Sequence, residues 1–144
     1  MREIKFRGYS KELNKWFFGA LDNSLNWAYF IIVHENGFGI KNRVDSETIG
    51  QFTGLYDVKN KPIYEGDILE VLYYNHTGKN CTLIQEVYYL EESGCFCVRT
   101  LGKEVSPIES DRNNVPLSWT SQPNTIKCLG NIHENPELLT QHKN

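Results

Sequence analysis

Between residues 44 and 71 the chain cannot run straight for long. Glycines at 50, 54 and 66, together with Asn60 and Pro62, interrupt it at short intervals, and single large apolar residues (Ile49, Phe52, Leu55, Ile63, Ile68, Val71) stand between the interruptions. Glycine costs a helix interior about 1 kcal/mol relative to alanine. Gly50 and Gly54 therefore exclude a long helix, and the capping-type run Asp45-Ser46-Glu47-Thr48 starts at most an irregular or one-turn segment. Asn60 can take the left-handed conformation that a tight turn over 57–61 requires. The pattern describes a backbone bent several times across a core, which specifies structure before it specifies chemistry.

The flanking segments read as short strands. Ile4 and Phe6 alternate with charged residues, and an aromatic run at 16–19 returns after a polar turn. A second turn is expected at 22–24. Residues 27–33 are aromatic and β-branched throughout, which predicts a strand covered on both faces, followed by a turn at 35–37 and a short partner strand at 38–40. Beyond Gly66-Asp67, strands are expected at 68–74, 81–90 and 95–100, joined by short polar turns. Residues 102–124 carry few anchors, and a short strand is expected around 115–119. A closing strand follows at 125–132. Asn135 before Pro136 predicts a helical turn that caps the sheet with Leu138 and Leu139.

The expected fold is therefore mainly β, with short helical turns. An N-terminal β-meander (1–57) packs on an SH3-like small β-barrel (58–144), the two subdomains forming one unit. A chain of 144 residues can bury roughly 68% of its unfolded surface and fold without staples. With 40% hydrophobic and 23% charged residues disorder is excluded, and the longest apolar run is far too short to span a membrane. The first residues lack an apolar signal segment, so the chain is expected to be cytoplasmic. A net charge of -3 argues against an overall nucleic-acid footprint.

Chemistry is sparse. Cys81, Cys95, Cys97 and Cys128 include one C-x-C pair, whose side chains share a strand face. Structural zinc draws on turn-borne ligands at wider spacing, so all four are expected to be thiols, with no metal or cofactor. Asp67, two residues after Glu65, is the best-placed acid. The simpler reading is that Gly66 supplies an unusual backbone angle while the Asp67 carboxylate accepts a backbone N–H. The four histidines have no Cys or Ser partner at a recognisable spacing, and no phosphate, dinucleotide or hydrolase signature is present. No catalytic residue is assigned, and the chain is expected not to be an enzyme. Gly50, Gly54, Gly66, Asp67, Asn135 and Pro136 are expected to serve structure. Lys59, Lys61, Tyr64 and Tyr74 form a candidate binding surface, where lysines and tyrosines together could make a basic aromatic groove.

Four segments, in order, resemble the YopX family of phage and prophage proteins. They are Arg2-Glu3-Ile4-Lys5-Phe6-Arg7, Val44-Asp45-x-Glu47-Thr48-x-Gly50-Gln51-x-Thr53-Gly54-Leu55, Ile63-Tyr64-Glu65-Gly66-Asp67-Ile68 and Gly130-Asn131-Ile132-x-Glu134-Asn135-Pro136-Glu137-Leu138-Leu139. Ser46 stands where the family pattern has proline, and Lys61 where it has glycine. The resemblance implies a phage or prophage product at work in a bacterial cytoplasm, and carries no cofactor or catalytic residue. A non-catalytic binding or adaptor module, acting on a protein partner or on itself, is the expected role. A nucleic-acid-binding protein of phage replication or regulation is the alternative, with a hydrolase using Asp67 or a Cys–His pair more remote.

Overall fold

Extended segments punctuated by Asn and Gly turns form antiparallel strands throughout the computed structural model, which describes residues 1, 3–74, 77–101, 115–117 and 125–140. The chain divides into two units, Met1–Gly54 and Leu55–Asn144.

In the first unit β1 (Phe6–Ser10) turns at Asn14, whose φ is 49°, into β2 (Lys15–Leu25). Next come β3 (Ala28–Glu35) and β4 (Phe38–Val44), joined by Asn36-Gly37 with φ of 51° and 82°, the two positive angles of a primed hairpin turn. A 3₁₀ turn (Ser46–Thr48) leads into β5 (Gly50–Tyr56), and the sheet runs in the order β4-β3-β2-β1-β5. The register sets Leu21 opposite Ile31 and Tyr29 opposite Val44. Phe17, Ile31 and Val44 thereby form a buried core, against which Phe6, Leu21, Tyr29, Val33 and Ile49 pack. The sheet curls tightly enough that a Cβ on Gly8 would lie 2.7 Å from Cγ2 of Val44, so only glycine lets β1 pass the end of β4.

Three expectations for this unit change. The turn expected at 22–24 lies within β2, where the register shifts between Asp22 and Leu25. Residues 27–33 are not covered on both faces: Ala28 and Ile31 are buried, the rest of that run in β3 is half-buried, and Trp27 is 72% exposed. Gly50 does not interrupt the backbone either, whereas Gly54, at φ 87°, does bend β5 locally as the sequence predicts. Barred from a helix, the segment is taken into the sheet by its pairing with β1, through Phe6 opposite Gln51 and Arg7 opposite Gly50.

In the second unit the end of β5 turns through 57–61, with Asn60 at φ 60°, into β6 (Pro62–Tyr64). β7 (Asp67–Tyr74), β8 (Asn80–Leu90) and β9 (Cys95–Thr100) form a meander. Beside it lie β10 (Val115–Pro116) and β11 (Ile126–Asn131), in the order β10-β9-β8-β7-β11. Ile63, Leu69, Val71, Val87, Val98, Leu117 and Ile126 are buried together, with Leu55, Phe96 and Cys128 packed on them. Complete burial of each such side chain contributes about 1.5–3 kcal/mol. The mainly β class is as the sequence predicts. Among the described residues β10 and β11 remain at opposite edges of the order, so the pairing is that of an open sheet. The short strand expected near 115–119 is β10 followed by buried Leu117; Trp119 and the rest of 102–114 and 118–124 lie outside the described residues. A 3₁₀ turn (Pro136–Leu139) follows β11, with Leu138 and Leu139 half-buried.

Candidate functional site

The polar residues that the sequence singles out are engaged with backbone. In the first unit Thr48 is buried, and its Oγ1 accepts the Tyr9 N–H at 2.8 Å and donates to the Asp45 carbonyl at 2.6 Å. Asp45 Oδ2 accepts the Lys11 N–H at 2.8 Å, and the Asp45 N–H donates to the Tyr9 carbonyl at 2.8 Å. Glu47 receives the Lys11 ammonium at 2.6 Å, which raises the lysine's pKa. The motif Asp45-x-Glu47-Thr48 thus fastens the turn after β1.

In the second unit Asp57 does the same for the β5–β6 turn. It is buried, and its Oδ1 accepts the N–H groups of Lys59 at 2.8 Å and Lys61 at 2.9 Å, while Oδ2 reaches the Cys128 N–H on β11 at 3.1 Å. Burial pushes this carboxyl up, but three N–H donors outweigh it and hold its pKa below the ordinary value. The Val58 N–H adds a bond to the Ile126 carbonyl at 2.9 Å. The turn is therefore braced from inside, and Lys59 and Lys61 are exposed on it beside exposed Tyr56 and Val58.

Gly66 sits at φ 83°, a region closed to β-branched residues. Its N–H donates to the Val87 carbonyl at 2.8 Å and its carbonyl accepts the Ile132 N–H at 2.9 Å, which ties the turn to β8 and to the residue after β11. Asp67, 1% exposed, accepts the Tyr64 N–H on Oδ2 at 2.9 Å. Glu65 is half-buried in the same turn.

At the C-terminal motif, Asn131 Oδ1 accepts the N–H groups of His133 at 3.0 Å and Glu134 at 2.9 Å, and its Nδ2 donates to Glu134 Oε2 at 2.6 Å. Asn135 Oδ1 accepts the Asn131 N–H at 3.3 Å. That approach needs a glycine: a Cβ on Gly130 would stand 2.1 Å from Asn135 Oδ1. Pro136 opens the 3₁₀ turn as the sequence predicts, although Asn135 makes no side-chain cap there.

The candidate binding surface is only partly assembled. Lys59 and Lys61 are exposed, but Tyr64 is 2% exposed and belongs to the interior, which corrects its placement on the surface. Both Ile63 and Tyr64 are buried in the short β6, so strand alternation gave no warning. Tyr74 ends β7, and its side chain lies outside the described residues. The Lys61 charge also acts on Asp57 and Cys128 beneath the turn, and further cations carry acidic partners: Arg99 makes a two-point contact with Glu86 at 2.9 and 2.8 Å, and Lys127 lies 3.7 Å from Glu70. Among the described residues no three His, Cys, Asp or Glu side chains converge as a metal site. Burial pushes the thiols of Cys97 and Cys128 up to about 11, the opposite of nucleophile activation. The roles of Asp57 and Asn131 were missed in the sequence; the signal available was the Asx pattern, an Asp or Asn two to four residues before amides that need an acceptor.

Two antiparallel β units whose signature polar residues clamp their own turns define a mainly β protein with a structurally conservative motif set. The YopX protein family model matches residues 5–140, and the chain belongs to that family. The crystal structure of protein EF1440 from Enterococcus faecalis is similar in fold, with 24% identity and a TM-score of 0.50, covering 96% of this chain and 99% of that one. No curated protein matches the chain. Among the described residues no helix is long and apolar enough to cross a membrane.

Proposed function

We propose that this protein is a non-catalytic binding or adaptor module, phage- or prophage-encoded and active in the cytoplasm of a bacterial host, and that the 57–61 turn carries its contact surface. The observation behind this reading is the Asp57 brace. Three backbone bonds hold the turn, so the exposed Lys59 and Lys61, with Tyr56 and Val58 beside them, meet a partner at little conformational cost. A protein partner with an acidic surface fits that chemistry. The hydrolase reading loses support because Asp67 is engaged with the Tyr64 amide and the Cys97 and Cys128 thiols are hard to ionise. A basic aromatic groove for nucleic acid loses support from buried Tyr64 and from the acidic partners of Arg99 and Lys127.

Affinity capture from host cells, with wild type and the Lys59→Glu/Lys61→Glu variant side by side, tests the proposal. A protein retained by wild type and lost from the variant, at unchanged melting temperature, is the expected result. A partner retained equally by both refutes the assignment of the turn. A salt-sensitive gel shift with single- or double-stranded nucleic acid would transfer the function to phage replication or regulation, since phosphate binders weaken steeply as salt rises.

A further inference from the structure

The pleat of β9 turns Cys95 and Cys97 to the same face, and their Sγ atoms lie 3.7 Å apart. Tyr88 and Leu90 of β8 stand opposite them in register, and Pro116 of β10 faces Cys97 from the other side. Cys97 is 1% exposed while Cys95 is half-buried, so the pair is approached over Cys95. A disulfide needs Cβ atoms about 3.8 Å apart, whereas same-face neighbours of an extended strand are separated by roughly 6.6 Å. Closing one would pull β9 off its ladder. An ion bound tetrahedrally through metal–sulfur bonds of about 2.3 Å spans two sulfurs about 3.8 Å apart, with no movement of the backbone.

We propose that Cys95 and Cys97 form a chelating dithiol site for a thiophilic divalent ion of the zinc and cadmium class. The two thiols lose their protons as two metal–sulfur bonds form, so each bound ion releases two protons and no electrons are exchanged. Among the described residues no third ligand joins them, so the remaining coordination positions go to water or to a small thiol, and the ion exchanges instead of stabilising the fold. The titratable and charged groups facing the pair are Tyr88, Glu86 and Arg99, with the glutamate and arginine occupied by each other. Because the ion displaces both thiol protons, affinity rises with pH.

Titration of the reduced full chain with cadmium in the absence of oxygen, followed by the ultraviolet thiolate-to-cadmium band and by calorimetry, tests the site. One ion per chain is expected, with proton release. Cys95→Ser, at the half-buried position, should weaken binding by at least about 100-fold, because the second bond of a chelate forms at high effective concentration. Cys81→Ser/Cys128→Ser should leave binding intact. Undiminished affinity in Cys95→Ser, loss of binding in the Cys81/Cys128 variant, or no charge-transfer band in wild type would overturn the proposal.

Discussion

Replacing Asp57 by alanine removes the acceptor of three backbone N–H groups at once. The losses are unequal. Lys59 and Lys61 lie in an exposed turn where water takes over their amides, and together they account for about 1 kcal/mol. The Cys128 amide sits in half-buried β11, and stranding such a donor costs about 1–3 kcal/mol. The sum, about 2–4 kcal/mol, corresponds to roughly 6–12 °C in melting temperature for a chain of this size. The sign with pH is fixed by the depressed folded-state pKa. The stabilisation is complete above the unfolded carboxyl value of about 3.9 and is lost as pH falls through the lower folded value. Thermal melts of wild type and Asp57→Ala by circular dichroism should therefore show a wide gap near neutrality that narrows in acid. A gap under about 2 °C at neutral pH, or one that stays constant down to about pH 2, would refute the reasoning.

Other perturbations follow from the same geometry. Gly130→Ala should lower stability by about 1–3 kcal/mol by driving Asn135 from its place, and Asn135→Ala in the same chain should recover part of it in a double-mutant cycle. Thr48→Val keeps the shape but strands the Tyr9 amide and should cost about 1–2 kcal/mol in urea titrations, while Thr48→Ser should restore most of the loss. Gly66→Val places a β-branched residue at φ 83° in a buried turn and should prevent soluble expression or lower the melting temperature sharply; a wild-type melt would contradict the role given to this turn.

Local chemistry was legible in the sequence and distant pairing was not. Asn36-Gly37, Asn60 and Gly66-Asp67 announce their turns because the demanded backbone angles belong to those residue types. The strand entered at Gly50 was hidden, because its start is fixed by pairing with β1, more than 40 residues earlier in the chain. Asp57 could be read as a turn residue, but its bond to Cys128 links positions 71 apart and leaves no local trace. Of the candidate surface, exposed Lys59 and Lys61 were readable as solvated charges. Tyr64 was not, since its burial depends on the elements that close over the three-residue β6.

The signature acids either hold the fold together or carry chemistry, and Asp67 separates the two most directly. Active-site residues commonly sit at a cost in stability, so their removal tends to leave the melting temperature unchanged or raise it. Asp67 is instead buried and bonded to the Tyr64 amide, and Asp67→Ala should destabilise by about 1–3 kcal/mol. The melting temperature of that variant is the decisive measurement. A fall of roughly 3–9 °C is predicted, and a value at or above wild type would contradict the structural role of Asp67.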